Sequence, residues 1–107
     1  MNREFLSGDD LKDERLVGEL AASIRREVRG RCIIDEPLHR HTSFRIGGPA
    51  KFYVYPDTVG DLESLLQVAA GKHLRTFIIG CGTNLLVSDA GFAGCVVDLA
   101  KACRGIG

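Results

Sequence analysis

A glycine-rich hexapeptide is the stretch of this sequence whose residue types best suit binding chemistry. It reads Gly80-Cys81-Gly82-Thr83-Asn84-Leu85 and follows a β-branched and aromatic run at 76–79, which favours a buried strand. Two glycines separated by one residue let backbone N–H groups turn toward a common point, and such a concavity suits a phosphate. Thr83 and Asn84 add a hydroxyl and an amide, which are uncharged donors for phosphate oxygens. The segment predicts an anion-binding loop; the alternative is an ordinary glycine-rich turn between two strands.

Two familiar glycine motifs do not fit this segment. A phosphate-binding P-loop needs Lys and then Ser or Thr after the glycines, and Asn84-Leu85 stands there instead. A Rossmann fingerprint needs a third glycine and then a helix, but Leu85 occupies the third position. Residues 85–91 form a short apolar run and a turn. The pattern therefore indicates strand, loop and strand, so that loop amides rather than a helix end would hold an anion.

Cysteine and histidine do not form a metal-binding pattern. The four cysteines are Cys32, Cys81, Cys95 and Cys103. None forms a C-x-x-C pair, so we interpret them as small apolar residues in a reducing compartment, with Cys81 of interest because it lies in the glycine segment. His39 and His41 would share a face of an extended chain, but no third ligand has a useful spacing. We therefore predict no metal site and interpret residues 39–45 as a locally basic loop.

The elements that must position the glycine segment follow from periodicity. Residues 10–29 have helical spacing of apolar residues; Asp9 or Asp10 can cap the start, and the arginines near the end suit the helix dipole. We interpret those arginines as a solvated helix end rather than an anion site. Residues 32–34 predict a short strand that the sequence at 35–37 breaks.

A second group of elements predicts a βαβ unit. Residues 51–55 form a strand, 58–71 a helix and 75–79 a second strand, and Thr58 with Asp61 resembles a capping box. The two strands should be parallel. A further strand is predicted at 95–99, and the tail at 101–107 shows no helix or strand that could close a fold. The order of elements indicates an α/β (α+β) fold.

Bulk properties restrict the class of protein. The 107 residues form one domain, 45% of them hydrophobic and 26% charged, as in soluble globular proteins. The formal net charge is zero, which argues against nucleic-acid and membrane partners. The longest apolar runs are too short to span a bilayer, and no apolar core follows the first residues, so a secretory signal is not expected.

Three blocks resemble one enzyme family. They are Thr42-Ser43-Phe44-Arg45-Ile46-Gly47-Gly48-Pro49-Ala50, then Gly80 to Val87, then Asp89-Ala90-Gly91-Phe92-Ala93-Gly94. In this order and spacing they resemble the amino-terminal part of the UDP-N-acetylenolpyruvoylglucosamine reductase (UDP-N-acetylmuramate dehydrogenase) family, over residues 37–100. The sequence departs from the family pattern at His41 (usually Asn), Cys81 (usually Gly) and Thr83 (usually Ser). If position 81 requires a positive φ, the cysteine is strained there.

The resemblance implies a fold, a reaction and a set of site residues. The fold would be the first lobe of a PCMH-type FAD-binding domain, a small partly parallel sheet with two helices. The complete enzyme would use FAD and NADPH to reduce the UDP-linked enolpyruvyl sugar in peptidoglycan synthesis, and so serve cell wall formation, cell shape and division in the cytoplasm. The implied FAD contacts are Gly80, Cys81, Gly82, Thr83, Asn84 and Leu85, with Arg45 and Gly47 in support. No catalytic residue is expected, because those of the family belong to later parts of the enzyme.

The resemblance also implies a division of the chain. Residues 1–36 would form an amino-terminal helix and lead-in strand, and 37–107 a truncated first lobe. A lobe without its sheet partners would expose apolar surface that self-association covers. Two alternatives stay open: the FAD-domain fragment of another PCMH-type oxidase or dehydrogenase, and a small non-flavin nucleotide-binding or interaction module.

Overall fold

Four strands form one mixed sheet with two α-helices packed on one face, in a computed structural model that describes residues 5–37, 49–79 and 92–102. A short 3-10 helix at Asp10–Lys12 precedes the first α-helix. The remaining elements, in chain order, are α1 (Glu14–Glu27), β1 (Gly30–Pro37), β2 (Pro49–Pro56), α2 (Val59–Gly71), β3 (Thr76–Ile79) and β4 (Phe92–Asp98).

The strand order in the sheet is β1-β2-β4-β3. β1 runs antiparallel to β2, whereas β4 is parallel to both β2 and β3. The prediction that β2 and β3 share a direction is confirmed, but β4 lies between them. Burial follows this order: Cys95, Val96 and Val97 of β4 are fully buried, whereas three of the four residues of β3 are exposed. A strand with neighbours on both sides and both faces covered is the buried one.

Local hydrogen bonds determine where the helices begin. α1 is shorter than the predicted helix at 10–29, because Asp13 is its N-cap and accepts hydrogen bonds from the N–H groups of Arg15 and Leu16. Asp10, which we expected as a cap, instead accepts from Ser7. The predicted start of α2 is correct, since the Thr58 hydroxyl accepts a hydrogen bond from the N–H of Asp61 at 3.1 Å.

β1 is longer than the segment predicted at 32–34. Its pairing with β2 continues to Glu36 and Pro37, so residues 35–37 do not break it. Asp35 adopts φ 58°, and its carboxylate lies 2.9 Å from the Lys51 ammonium on the neighbouring strand. Pro37 is tolerated because it is the last residue of a strand that, among the described residues, lies at the edge of the sheet.

Side chains alternate between two faces of the sheet. Phe52, Val54, Cys95 and Val97 point toward the helices. The main core contains them together with buried residues from both helices and the segments beside them: Leu11, Val17, Leu20, Ala21, Ile24, Val28, Leu65, Ala69 and Leu74. A second buried cluster lies on the other face and consists of Ala50, Tyr53, Ile79 and Val96. The sheet is thus buried on both faces around its central strands.

One described helical segment lies outside the predicted elements. Residues 100–102 are helical, and the Asp98 carboxylate accepts a hydrogen bond from the N–H of Ala100 at 2.9 Å.

Neither α-helix has the length and apolar content needed to cross a bilayer, within the part of the chain that the structure describes.

Substitution of Gly30 should destabilise the protein strongly. Gly30 has φ 131°, and a Cβ built there would lie 1.9 Å from the carbonyl oxygen of Tyr55. We expect Gly30→Ala to lower the free energy of unfolding by about 2 kcal/mol or more, measured by urea titration with circular dichroism. Gly18→Ala is the matched control: apart from its chain neighbours and the backbone of α1 itself, no atom lies within 4 Å of the added Cβ, so it should raise stability by about 0.5–1 kcal/mol. Equal stability of the two variants would contradict this account.

Asp61 should make stability depend on acidity. Its carboxylate accepts hydrogen bonds from the N–H of Arg29 (3.1 Å) and the Thr58 hydroxyl (2.9 Å), and the first of these is the main reason its pKa is below the ordinary value. The stabilisation is therefore present above the unfolded pKa of about 3.9 and is lost as the pH falls through the folded pKa.

We expect Asp61→Asn to reduce the loss of melting temperature between about pH 6 and about pH 3. Glu63→Gln changes an exposed carboxylate on the same helix and should leave that loss unchanged. If both variants melt with the pH dependence of the natural sequence, Asp61 does not act in this way.

Candidate functional site

Three parallel strands end at the same edge of the sheet. β2, β4 and β3 end at Pro56, Asp98 and Ile79, and we call this the carboxyl edge. Ile79 is paired with Asp98, and its carbonyl oxygen accepts a hydrogen bond from the N–H of Leu99 at 2.9 Å. Ile79, the residue that precedes the glycine segment in the sequence, therefore lies beside the end of β4. In parallel sheets, ligands bind beyond the carboxyl ends of the strands.

The described residues of the first and third blocks lie at the opposite, amino edge. Ala50, which ends the first block, is paired with Phe92 of the third block, and Pro37 is paired with Pro49. Residues 80–91 thus connect the carboxyl end of β3 to the amino end of the adjacent parallel β4. Parallel neighbours require a connection of about a dozen residues, and this segment supplies it.

The residues that we predicted to contact FAD lie outside the described ranges. They are Gly80, Cys81, Gly82, Thr83, Asn84, Leu85, Arg45 and Gly47. The structure therefore describes the residues on either side of them: Pro37 and Pro49 flank the segment with Arg45 and Gly47, and Ile79 and Phe92 flank the segment with the glycines. The strand predicted after the glycine segment also lies outside those ranges, as do His39 and His41. No three potential metal ligands cluster in the parts of the chain at 5–37, 49–79 and 92–102.

A buried polar pair lies beside Ile79, the last described residue before the glycine segment. The Tyr53 hydroxyl donates a hydrogen bond of 2.5 Å to one oxygen of the Asp98 carboxylate. Tyr53 is fully buried and Asp98 is 9% exposed. The other carboxylate oxygen accepts from the N–H of Ala100. Both oxygens of this buried acid are therefore used, as a buried carboxylate requires.

Sequence reasoning did not find this pair. The polar Asp98 at the end of the apolar run Cys95-Val96-Val97 was the available signal, because a carboxylate in a central strand needs a partner. The partner lies 45 positions away on β2, and only the strand order brings the two together. The pKa of Tyr53 is raised above its ordinary value by burial first and then by the hydrogen bond to Asp98, so the phenol stays a neutral donor.

A cavity of about 510 Å³ also lies at the carboxyl edge. Its size is that of a small-molecule pocket. The residues that line it are Gly30, Arg31, Tyr55, Asp57, Ala100 and Lys101. Lys101 forms a salt bridge of 2.8 Å with Asp57, and Arg31 adds a second cation. The tilted rings of Tyr55 and Tyr53 lie 5.2 Å apart between centroids, which connects the cavity to the buried pair.

A second cavity, of about 500 Å³, lies at the amino edge beside Pro49 and Ala93. Its two lysines are paired with acids: Lys51 with Asp35 at 2.9 Å and Lys12 with Asp9 at 3.3 Å. These charges are balanced in pairs. The cavity at the carboxyl edge has Arg31 in addition to its Lys101–Asp57 pair, so it attracts an anion more strongly.

The comparison with known families decides the class of this domain. The sequence profile of the FAD binding domain family matches residues 50–107, more than half of the chain. The chain belongs to the FAD binding domain family. This assignment confirms the predicted fold class, since the mixed sheet with two helices is what the resemblance implied.

Curated relatives of this FAD binding domain share a name. The chain is 45% identical over 82 residues to the UDP-N-acetylenolpyruvoylglucosamine reductase of Geobacter sulfurreducens, which covers 77% of the chain and 27% of the relative. It is 43% identical over 88 residues to UDP-N-acetylenolpyruvoylglucosamine reductase 1 of Bacillus anthracis, and the aligned residues are 82% of the chain and 28% of that relative. The predicted resemblance is confirmed. The chain spans little more than a quarter of the length of these relatives.

The thiol of Cys95 should be inert in the folded protein. Burial is the main reason its pKa rises to about 12, and Cys32 adds to the effect. The reactive thiolate is therefore almost absent near neutral pH. We expect an alkylating reagent at about pH 8 to leave Cys95 unmodified in the native protein and to modify it in urea, measured by peptide mass spectrometry. Modification at equal rates in both conditions would contradict the buried position of Cys95.

Proposed function

We propose that this chain supplies the first lobe of the FAD site in an enzyme that uses NADPH to reduce UDP-N-acetylglucosamine enolpyruvate to UDP-N-acetylmuramate. The family match supports the FAD part, and the names of the relatives support the reaction. The reaction belongs to the complete protein and takes place, on this proposal, in the cytoplasm during peptidoglycan synthesis. We assign no catalytic residue to these 107 residues.

The position of Ile79 carries the proposal. This residue ends β3 at the carboxyl edge and directly precedes the glycine segment. A segment that starts there begins where parallel sheets commonly bind nucleotides. The same segment contains two glycines, a hydroxyl and an amide, which together suit a diphosphate.

The charges at the carboxyl edge are compatible with a diphosphate. Asp57 is paired with Lys101, and Asp98 accepts hydrogen bonds from Tyr53 and Ala100. Neither acid therefore presents an unpaired carboxylate to an incoming anion. Arg31 lines the same cavity in addition to the Lys101–Asp57 pair, and its positive charge favours anion binding.

The residues of the chain would hold the cofactor in distinct ways. Backbone N–H groups at 80–85 would donate to the pyrophosphate, and Thr83 and Asn84 would add side-chain donors. Cys81 would allow close approach of the backbone only if its φ is one that a side chain tolerates. Arg45 and Gly47 are proposed as supporting positions. Bound FAD would supply hydride transfer between NADPH and the enolpyruvyl double bond.

Two further parts of the proposal concern the chain as a whole. We place the lobe at 37–107 with 1–36 as its lead-in; the family match begins within that lobe, at residue 50. We also propose that this chain self-associates when expressed alone. The exposed Phe77 (40%) and Ile78 (41%) on β3 support this, because such side chains favour association.

Loss of one proposed donor should weaken FAD binding. We expect Thr83→Val in the complete gene product to lower FAD affinity about tenfold, since a hydrogen bond to a charged group contributes about 1.5 kcal/mol or more. Thr76→Val makes the same change on exposed β3, before the glycine segment, and should leave the affinity unchanged. Fluorescence titration of FAD measures both variants.

The same preparation distinguishes the alternatives. NADPH oxidation that depends on the UDP-linked enolpyruvyl sugar supports the proposal. Substrate-dependent peroxide formation at high rate would instead identify another PCMH-type oxidase. A protein that stays colourless with added FAD, yet binds ADP or ATP tightly, would be a non-flavin nucleotide module.

A further inference from the structure

We infer that Tyr53 and Asp98 are positioning residues for the FAD site, because their hydrogen bond fixes the end of β3 at Ile79, the residue that precedes the glycine segment in the sequence. The inference rests on the proposed function, since it gives the segment at 80–85 the role proposed there. Neither side chain is assigned a contact with the cofactor. Their action is on Ile79 and on the residues that follow β4.

The pair connects three parts of the chain at one point. Tyr53 on β2 donates to Asp98 at the end of β4 over 2.5 Å. The N–H of Ala100 donates to the second oxygen of Asp98 over 2.9 Å, which fixes the direction of the chain after β4. Between these residues, the N–H of Leu99 donates to the carbonyl oxygen of Ile79 over 2.9 Å. The orientation of residues 98–100 thus determines where β3 ends.

Packing adds a second link from Tyr53 to Ile79. Both belong to the buried cluster on the face opposite the helices, together with Ala50 and Val96. The ring of Tyr53 therefore contributes to the surroundings of Ile79, while its hydroxyl holds Asp98. Tyr53 therefore acts on the end of β3 both through the packing of its ring near Ile79 and through the hydrogen bond of its hydroxyl to Asp98.

A buried polar pair gives the folded state no more stability here than apolar side chains of similar volume would. On the face toward the helices, β4 presents Cys95 and Val97, which are fully buried and apolar. Apolar residues of similar volume generally stabilise a buried position as well as a polar or charged pair does. A hydrogen bond differs from an apolar contact because it has a direction, and it can therefore specify one backbone geometry. The glycines that follow Ile79 have no side chains to specify their own position.

The link does not act as a pH switch. Burial and the hydrogen bond to Asp98 both raise the pKa of Tyr53, so its hydroxyl remains a donor at neutral and moderately alkaline pH. Tyr55, the neighbouring ring at the carboxyl edge, also has a raised pKa, mainly through burial. The expected behaviour is a permanent support of the site.

Four variants of the complete gene product test this role. Tyr53→Phe removes the donor and keeps the ring, and Asp98→Ala removes the acceptor. Asp98→Asn keeps the shape; its amide can still accept from Ala100 and donate to the Tyr53 oxygen. Val54→Ala is the matched structural control, because Val54 is buried on the same strand but faces the helices.

FAD affinity and melting temperature separate positioning from stability. We expect Tyr53→Phe and Asp98→Ala to weaken FAD binding about tenfold or more, as a displaced diphosphate loop would. Asp98→Asn should retain affinity within about threefold of the natural sequence. Val54→Ala should lower the melting temperature comparably while changing affinity less than about threefold. Equal loss of affinity in Val54→Ala and Tyr53→Phe, or no loss in Tyr53→Phe, would overturn the inference.

Amide hydrogen exchange tests the link even without FAD. Tyr53→Phe should speed exchange of Leu99 N–H, which donates to Ile79, more than that of Cys95 N–H, which donates to Arg75 just before β3. Val54→Ala should speed both alike. If the natural protein binds no FAD, the proposed function fails, while this comparison still decides whether the pair fixes the end of β3. Uniform acceleration in Tyr53→Phe would mean that it does not.

Discussion

The insertion of β4 between β2 and β3 is the constraint on which the rest of the structure depends. Because β4 is parallel to both neighbours, three strands end at one edge of the sheet. Ile79, which precedes the glycine segment in the sequence, lies at that edge. Leu99, the residue after β4, is hydrogen-bonded to it there. The same order places Tyr53 and Asp98 on adjacent strands, where their side chains meet. An order with β3 beside β2 would separate these features.

The two buried faces of the sheet differ in their chemistry. The face toward the helices is apolar and joins both helices into one core. Burial of this kind is the main source of folding free energy, and it tolerates changes of similar volume. The opposite face contains the one hydrogen-bonded acid and phenol among its described buried residues, close to the start of the glycine segment. The apolar core that stabilises the fold and the hydrogen bond that we infer to position Ile79 thus lie on opposite faces of the same strands.

Local signals predicted most of the elements but not their arrangement. The capping of α2 by Thr58 and the apolar spacing of both helices depend on residues a few positions apart, so the sequence was sufficient there. The position of β4 and the Tyr53–Asp98 bond depend on pairing across the sheet, which periodicity does not encode. β1 exceeded its predicted length because Asp35 accepts a positive φ and Pro37 lies at a strand end. The FAD contacts were predicted from three blocks that resemble a family; they lie outside the described residues and stay predictions.

The most direct test of this account is to find which edge of the sheet a diphosphate meets. Amide NMR shifts of the isotope-labelled complete protein, recorded with and without FAD and with ADP as a shorter diphosphate, measure this. The account predicts that the amides of Ile79, Leu99 and Ala100 at the carboxyl edge shift, together with those at 80–85. Ala93 at the amino edge should remain unchanged. Shifts confined to the amino edge, with none from Ile79 to Leu85, would contradict it.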